Sequence, residues 1–305
     1  MENNSPRHET VFVVGATGFL GMEICRQLIE ANKTVKGLVR ATSDPAKVQA
    51  LKDMGVETIV GDMKERSSLM PGCQVADAVI STATSTISRQ EGDTIESVDE
   101  AGQLNVVDAA ITGGVKKFVF ISFGEIPGEV PLQNAKRSVE KKLRESKLDS
   151  TILQANTFME IWLSPMLGFD YPNAKATIFG TGENKISWIS LRDVATFAVS
   201  SLDNHAAKNA TIEIGGPEEL SWLEVVKIFE EQGGKPFTIQ NVPEAALMAQ
   251  RDAATDSMSK SFAGLMLNLA RGSVVKMRKV LQDFPIQLTS VQDYARQVMP
   301  VAETV

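Results

Sequence analysis

The sequence predicts an α/β fold built on a doubly wound parallel sheet, followed by a smaller C-terminal α+β region. Two observations predict it. Short apolar strands alternate with helical stretches in the first half, and a glycine-rich turn follows the first of these strands. Parallel neighbours in a sheet need a long crossover connection, so the alternation indicates repeated strand–helix–strand units.

The alternation extends over the first half of the chain. Apolar runs rich in Val, Ile and Phe predict strands, and apolar residues spaced three or four apart predict helices. The predicted strands are 10–14, 35–39, 56–60, 76–80, 117–122 and 150–154, and the predicted helices are 18–31, 45–54, 96–112 and 134–147. This order places helices on both faces of one sheet.

The second half is less regular. It contains predicted strands at 176–180, 185–190 and 210–216, predicted helices at 191–202 and 221–232, and a mainly helical stretch beyond Pro243. Methionine is frequent in the last hundred residues. Filling gaps in a core explains this most simply, and an adaptable wall for a bulky apolar ligand is the alternative.

Composition excludes several classes of function. The 305 residues carry 31 Lys and Arg against 38 Asp and Glu, and this net charge of −7 disfavours general nucleic-acid binding. Two Cys and two His leave few ligands for a metal site or a Ser–His–Asp triad. Because no apolar run approaches ~20 residues and no signal-peptide pattern opens the chain, we expect a cytoplasmic protein without membrane contact.

A glycine-rich turn, GATGFLG, follows the first predicted strand and opens a helix. Gly15 permits the tight turn, Gly18 lets the backbone approach a pyrophosphate, and Gly21 lets the helix pack closely. The N–H groups and positive end of that helix favour an anion. The turn therefore predicts dinucleotide binding, with a purely structural turn as the alternative. Its G-x-x-G-x-x-G spacing resembles the short-chain dehydrogenase/reductase superfamily.

The end of the second strand distinguishes NADP sites from NAD sites. An NAD site normally places Asp or Glu there, and that carboxylate would repel a 2′-phosphate. Here the strand ends at Arg40, whose guanidinium can bind a phosphate and stack on adenine. Lys47 is close enough in sequence to add charge, and Asp44 lies past the strand end. The sequence therefore predicts NADP(H); the alternative is that Arg40 is an ordinary surface residue.

Lys136 is the candidate acid–base residue. In typical members of the superfamily a Tyr precedes the catalytic Lys by four residues, but here Leu132 stands at that position. Helical geometry over 134–147 places Lys136 within about 20° of the apolar Leu143, so its ammonium points inward. An inward Lys needs a partner, such as a ribose hydroxyl or a substrate oxygen, and desolvation lowers its pKa. A Lys that merely covers apolar surface is the alternative.

Nearly the whole chain resembles the NmrA-like, atypical branch of this superfamily, which includes isoflavone reductase, phenylcoumaran benzylic ether reductase and related quinone reductases. The resemblance is carried by GATGFLG, LVR, Gly61-Asp62, VKKFVFISFG, AKRSVEKKLRESKLDSTIL, NTFMEIW, SWISLRDVATFAV and IGGPEELSWLEVV. This branch shares the missing Tyr. It also contains redox sensors and assembly factors that bind the cofactor without clear turnover. The resemblance does not extend to the stretch after about residue 245.

The resemblance implies a set of residues that bind NADP(H), and each group contacts a different part of the cofactor. They are Gly15, Thr17, Gly18, Phe19 and Leu20 for the pyrophosphate, Arg40 for the 2′-phosphate, Asp62 and Met63 for adenine, Ser81, Thr82 and Ala83 towards nicotinamide, and Lys136, Asn156, Thr157 and Phe158 beside it. The sequence as a whole predicts a disordered tail over 1–9, an NADP-binding Rossmann domain over 10–156, and a substrate-binding region over 157–305 partly interwoven with the first.

The function expected is NADPH-dependent reduction of a conjugated ketone, quinone or aromatic-type small molecule. Lys136 would stabilise or protonate the developing oxyanion, and Ser122 would add a hydrogen bond. Phe158, Met159 and Trp162 would wall the pocket for an apolar or aromatic substrate, with packing inside the protein as an equal alternative. We expect a monomer or homodimer that requires no metal.

Two other functions fit parts of the sequence. An NADP(H)-binding redox sensor or scaffold without turnover is suggested by the missing Tyr, and its polar segment 84–95 would become ordered with the cofactor. An epimerase or dehydratase acting on a nucleotide sugar fits the glycine-rich turn, but those relatives keep the Tyr.

Overall fold

A computed structural model describes residues 9–87 and 90–299, so most of the predicted tail, residues 1–8, lies outside the described residues. The chain divides into two compact units. The first runs up to Ile121 and adds Ala135–Leu153 and Ala195–Thr211. The second comprises Ser122–Asn134, Gln154–Val194 and the chain from Ile212 onward.

The strands, in chain order, are β1 (Thr10–Val14), β2 (Thr34–Val39), β3 (Glu57–Val60), β4 (Ala78–Ser81), β5 (Lys117–Ser122), β6 (Asp149–Ala155), β7 (Phe169–Asp170), β8 (Lys175–Phe179), β9 (Lys185–Ile186), β10 (Ala210–Ile214), β11 (Leu220–Ser221) and β12 (Thr238–Val242). Seven of them form one sheet in the order β10-β6-β5-β4-β1-β2-β3. β1 is parallel to both β2 and β4. The strands after β1 continue to one side as β2 and β3 and to the other side as β4, β5 and β6, so the strand order reverses between β1 and β4. This is the doubly wound arrangement, and the predicted fold class is confirmed.

The helices are α1 (Phe19–Glu30), α2 (Pro45–Asp53), α3 (Arg66–Cys73), α4 (Gln103–Gly113), α5 (Pro131–Glu145), α6 (Met159–Trp162), α7 (Leu191–Ser200), α8 (Trp222–Gly233), α9 (Glu244–Ala253), α10 (Ser257–Arg271), α11 (Met277–Asp283) and α12 (Val291–Val298). A π-helical segment, Ile95–Gly102, leads directly into α4. No helix in the described part of the chain is long and apolar enough to span a bilayer.

Several elements differ from the sequence prediction. The predicted strand 185–190 is interrupted after Ile186: β9 pairs with β11, and beyond it only Ile189 forms an isolated parallel bridge, with Phe158. The predicted helix 134–147 starts earlier, at Pro131, since proline suits the first turn of a helix. The helix α3 was not predicted, because Pro71 and Gly72 inside it are signals that interrupt helices. Gly72 is needed there, since a Cβ would lie 2.6 Å from the Phe12 ring.

The first unit is built around β1. All five residues of this strand are buried, and Phe12 and Val14 belong to a core cluster that also takes side chains from α3, α4 and β5. That core holds β1 and β4 side by side, which fixes the two strand ends where the glycine-rich turn lies.

The second unit has its own, aromatic core. The ring centroids of Phe169 and Phe229 are 4.9 Å apart, and those of Trp188 and Trp222 are 4.7 Å apart, both nearly perpendicular. β8 lies between β12 and β7 in a three-stranded sheet beside this cluster. Edge-to-face aromatic pairs of this kind add about 0.5–1.5 kcal/mol each beyond burial alone.

We expect Phe12→Ala to lower the free energy of unfolding by about 3–5 kcal/mol, because it leaves a cavity at the centre of the first unit. Phe19→Ala is the matched control. Phe19 is 58% exposed, so loss of its ring should cost less than about 1 kcal/mol. Urea unfolding measures both values, and equal losses for the two variants would contradict the central placement of β1.

Candidate functional site

The glycine-rich turn packs directly on the end of β4. Gly15 has φ +89°, and a Cβ on it would lie 2.6 Å from Thr82 Oγ1 and 2.8 Å from Ala83 N. A Cβ on Gly21 would lie only 2.0 Å from the Gly15 carbonyl oxygen. Both positions therefore exclude any larger residue. Ligands of doubly wound sheets bind at this point, outside the carboxyl ends of the strands where the order reverses.

The N-terminus of α1 faces this turn without a capping side chain. Gly18 is the N-cap residue, no side-chain hydrogen bond caps the helix, and its first turn carries no acidic residue. The positive end of the helix is therefore not neutralised by its own sequence, which favours an anion. Of the two predicted residues that follow, Phe19 is exposed and Leu20 is buried. Lys47 Nζ lies 5.6 Å from the centroid of the Phe19 ring.

Arg40 lies at the end of β2, where the sequence predicts it, and its guanidinium is paired. Arg40 Nη1 donates to Asp93 Oδ2 at 2.6 Å, and Lys64 Nζ donates to Asp93 Oδ1 at 2.8 Å. Burial would raise the pKa of Asp93, but hydrogen bonds from Arg40 and Lys64 outweigh it and hold the pKa below its usual value. Asp93 is therefore ionised at neutral pH. Asp62 Oδ2 also lies 3.8 Å from Lys64 Nζ, so two cations and two carboxylates form a single cluster.

The residues predicted to border adenine follow β3. Asp62 accepts a hydrogen bond from Lys64 N at 2.9 Å and is partly exposed. The side chain of Met63 is 7% exposed and belongs to the core of the first unit. Only Asp62 of this pair therefore presents its side chain at the surface.

A hydrogen-bonded chain fixes the end of β4. Ser81 Oγ donates to Gln103 Oε1 at 2.7 Å, and Gln103 Nε2 donates to the Ala83 carbonyl oxygen at 2.7 Å. Thr82 N donates to the Val14 carbonyl oxygen at 2.9 Å. The hydroxyl of Ser81 is buried and already used, whereas Thr82 and Ala83 are partly exposed.

Lys136 is buried, as its helical position predicts, with only 6% of its surface exposed. Its Nζ donates to the Ile121 carbonyl oxygen at 3.1 Å and lies 4.8 Å from the centroid of the Phe120 ring. Burial lowers the pKa of Lys136, and the charges of Asp99 and Glu140 oppose that shift only in part. Ser122, the next residue after Ile121 and the last of β5, is also buried.

Asp99 is a second buried ionisable group in this unit. Its Oδ2 accepts hydrogen bonds from Ser85 N at 3.0 Å and Ser85 Oγ at 2.6 Å. Its Oδ1 is buried and has no hydrogen-bond partner among the described residues. Asp99 lies in the π-helical segment, a rare geometry that is frequent at functional sites. The carboxylate therefore supplies a negative charge that favours the protonated form of Lys136.

The remaining predicted residues lie in the second unit. Asn156 Nδ2 donates to Ser273 O and Oγ, both at 3.1 Å, and its Oδ1 accepts from Thr157. The side chain of Met159 is fully buried in the core of this unit, which favours packing over lining a pocket. Phe158 and Trp162 keep part of their surface exposed.

Sequence reasoning missed four residues of the first-unit site: Lys64, Asp93, Asp99 and Gln103. Two of them carried a usable signal. Asp99 and Gln103 lie four residues apart within the predicted helix 96–112, and both are fully buried. A carboxylate and an amide on the apolar side of a helix indicate partners inside the protein. Within the described residues, no group of three His, Cys, Asp or Glu is arranged to hold a metal ion.

The sequence profile of the NmrA-like family matches residues 7–268. The chain belongs to the NmrA-like family. It is 34% identical over 249 residues to photosystem II assembly factor Ycf39 from Synechocystis sp., covering 79% of this chain and 73% of that protein. It is 29% identical over 262 residues to NAD(P)H azoreductase from Xenophilus azovorans, covering 83% and 86%.

A solved structure has the same fold at lower identity. The NADPH complex of the quinone oxidoreductase QOR2 from Escherichia coli superimposes with a TM-score of 0.75 at 20% identity, covering 94% of this chain and 99% of that one. The family resemblance expected from the sequence is therefore confirmed. The NmrA-like relatives include both reductases and assembly factors.

We expect the free energy of unfolding of the wild type to rise with pH, relative to that of Lys136→Met, as the pH approaches about 10.4, the ordinary pKa of Lys. Between the lowered pKa of folded Lys136 and about 10.4 in the unfolded chain, the unfolded state binds more protons, so stability rises with pH. The slope is at most about 1.4 kcal/mol per pH unit.

Lys136→Arg serves as the control for this measurement, since Arg stays protonated throughout this pH range. Urea unfolding at several pH values gives the free energy of unfolding of the wild type and of Lys136→Arg, each relative to that of Lys136→Met. For Lys136→Arg, we expect the difference in free energy of unfolding from Lys136→Met to stay constant with pH. A constant difference for the wild type as well would show that the ammonium keeps its ordinary pKa.

Proposed function

We propose that the protein is an NADPH-dependent reductase acting on a conjugated ketone, quinone or aromatic-type small molecule. The observation that carries the proposal is the buried Lys136 ammonium, held at the carboxyl end of β5 with a lowered pKa. Perturbed ionisable groups of this kind mark sites of acid–base chemistry. The reductases among the relatives support the same reaction class.

The cofactor is NADP(H), and the first unit has the features that it requires. The absence of a Cβ at Gly15 and Gly21 lets the turn pack against the end of β4 and the start of α1, and the uncapped N-terminus of α1 suits the diphosphate. Arg40 and Lys64 supply positive charge at the ends of β2 and β3 for the 2′-phosphate. Thr17, Thr82 and Ala83 extend this surface along the ends of β1 and β4.

Lys136 acts as the proton donor. NADPH, when bound, supplies the hydride to the electrophilic carbon of the substrate. The ammonium of Lys136 donates a hydrogen bond to the oxygen on which negative charge develops, and then a proton, directly or through water. Its lowered pKa makes proton release easier, while the charge of Asp99 opposes that shift and favours the ammonium. The carbonyl of Ile121 orients Nζ before the reaction.

Further residues are proposed to contact the substrate. We propose that the hydroxyl of Ser122, the last residue of β5, donates a hydrogen bond to the substrate oxygen. Phe158 and Trp162 retain exposed aromatic surface and are assigned to the apolar part of the substrate. Asn156 and Thr157 form the hydrogen-bonded loop that precedes them.

We expect Gly15→Ala to weaken NADPH binding at least about a hundred-fold, because the new Cβ must displace Thr82 and Ala83 from the turn. Gly55→Ala is the matched control. Gly55 has nearly the same backbone angle, φ +91°, but its nearest neighbour is 3.9 Å away. Both variants therefore carry similar backbone strain, and only Gly15→Ala should lose affinity in calorimetric titration. Wild-type affinity in Gly15→Ala would refute the binding site.

We expect Lys136→Ala to slow reduction of an identified substrate by about a hundred- to ten-thousand-fold, the usual contribution of a general acid. NADPH binding should weaken by no more than about ten-fold, the cost of one hydrogen bond. Lys141→Ala is the control, since Lys141 lies on the same helix and is exposed. Single-turnover kinetics with a panel of enones, quinones and aromatic ketones measures the rates. A wild-type rate in Lys136→Ala would end this mechanism.

A second candidate is an NADP(H)-binding assembly or sensor protein without turnover. It is favoured by the 34% identity to the Ycf39 assembly factor and by Leu132 in place of the usual Tyr. The same substrate panel separates the two functions. Steady NADPH consumption with a defined small molecule supports the reductase. Capture of a protein partner that depends on NADPH, with no consumption across the panel, supports the second candidate.

A further inference from the structure

The Asp93 carboxylate is ion-paired with two cations, Arg40 and Lys64, near the ends of β2 and β3. Asp93 has a side chain only 2% exposed, and its two oxygens divide between the cations, with Oδ2 on Arg40 and Oδ1 on Lys64. Both cations are themselves about three-quarters buried. The ion pairs are therefore poorly screened by salt, and their geometry lets one carboxylate satisfy both positive groups.

The backbone around Asp93 is docked on the loop after β2 by further hydrogen bonds. Thr42 Oγ1 donates to Gln90 Oε1 at 2.5 Å, and Gln90 Nε2 donates to the Thr42 carbonyl oxygen at 3.0 Å. Gln90 N donates to Asp93 Oδ2 at 3.0 Å. Asp93 is thus held in place by its own segment as well as by the cations, which distinguishes it from an incidental surface ion pair.

We propose that Asp93 is a specificity-determining residue that competes with the 2′-phosphate of NADP(H) for Arg40 and Lys64. The inference rests on the proposed function, which assigns these two cations to that phosphate. A phosphate carries a charge of about −1.5 to −2, which matches two free cations. With Asp93 in place, the two cations are balanced by Asp93 and by Asp62, whose Oδ2 lies 3.8 Å from Lys64 Nζ, and the Asp93 carboxylate repels the phosphate.

Binding of the 2′-phosphate therefore requires Asp93 to leave both cations, whereas NADH has no group that requires this. Asp93 lowers the affinity for NADPH and narrows the preference for NADPH over NADH. Asp93 also lies two residues before the π-helical segment, Ile95–Gly102. Thr94, the next residue, caps the π-helical segment that carries Asp99, and its Oγ1 accepts from Ser97 N at 3.1 Å.

Calorimetric titration of the full chain tests the competition. NADPH and NADH are the ligands, and adenosine 2′,5′-bisphosphate isolates the phosphate from the nicotinamide. We expect Asp93→Asn to bind NADPH and the bisphosphate at least about ten-fold more tightly than the wild type, and NADH within about two-fold. Asp108→Asn is the control, because it changes the net charge equally and pairs with Lys142 at another place in the same unit.

Three results would overturn the inference: unchanged NADPH affinity in Asp93→Asn, weaker NADPH affinity, or equal tightening of NADPH and NADH. Weaker binding would mean that Asp93 orients Arg40 for the phosphate. No NADPH binding by the wild type would instead contradict the proposed function itself, and the inference with it. The two failures are therefore distinguishable.

Amide hydrogen exchange on the wild type tests the same point without a substitution, should Asp93→Asn fail to fold. The amides of Gln90 and Asp93 take part in the docked segment, since Asp93 N donates to the Gln90 carbonyl oxygen at 3.0 Å. We expect both amides to exchange faster at saturating NADPH than at saturating NADH. Equal protection with the two cofactors would show that Asp93 stays on the cations.

Discussion

The contact between the glycine-rich turn and the end of β4 is the constraint on which the site depends. A parallel sheet brings the carboxyl ends of β1 and β4 together, but backbone can approach backbone there only without a Cβ at Gly15 and Gly21. That contact fixes where α1 begins, and hence where its positive end points. It also fixes Thr82 and Ala83, the first residues after β4. The position of the candidate phosphate site thus follows from packing, before any charged side chain is considered.

The first unit contains two clusters of charged residues, and a different physical effect dominates in each. At the ends of β2 and β3, Asp93 pairs with both Arg40 and Lys64, and the hydrogen bonds hold the carboxylate ionised. At Lys136, desolvation is the largest influence on the pKa, and the charge of Asp99 compensates only in part. Lys136 therefore binds its proton less tightly than a Lys in water does. The first cluster is suited to binding an anion by exchange, and the second is suited to releasing a proton.

The sequence predicted the features that depend on local chemistry. The turn at Gly15 was recognisable because the requirement for glycine lies within seven residues and directly follows a strand. The inward direction of Lys136 followed from helical geometry alone, and its burial agrees. Asp93 could not be found in this way, because it reaches Arg40 across 53 positions and only the fold brings them together. For Met159, periodicity gives an apolar position but does not distinguish core from pocket, and the structure places it in the core.

The energetics of Lys136 bear on whether the protein turns over a substrate. Burying an ammonium against a carbonyl and an aromatic ring costs free energy that an apolar side chain of similar size would not. A protein that only binds NADP(H) could hold the cofactor through the glycine-rich turn and the cations at β2 and β3, with an apolar residue at position 136. The charge of Asp99, buried with one oxygen unpartnered among the described residues, adds a second cost at the same place. Two such costs are understandable where a proton must be held and released, and this favours the reductase over a protein without turnover.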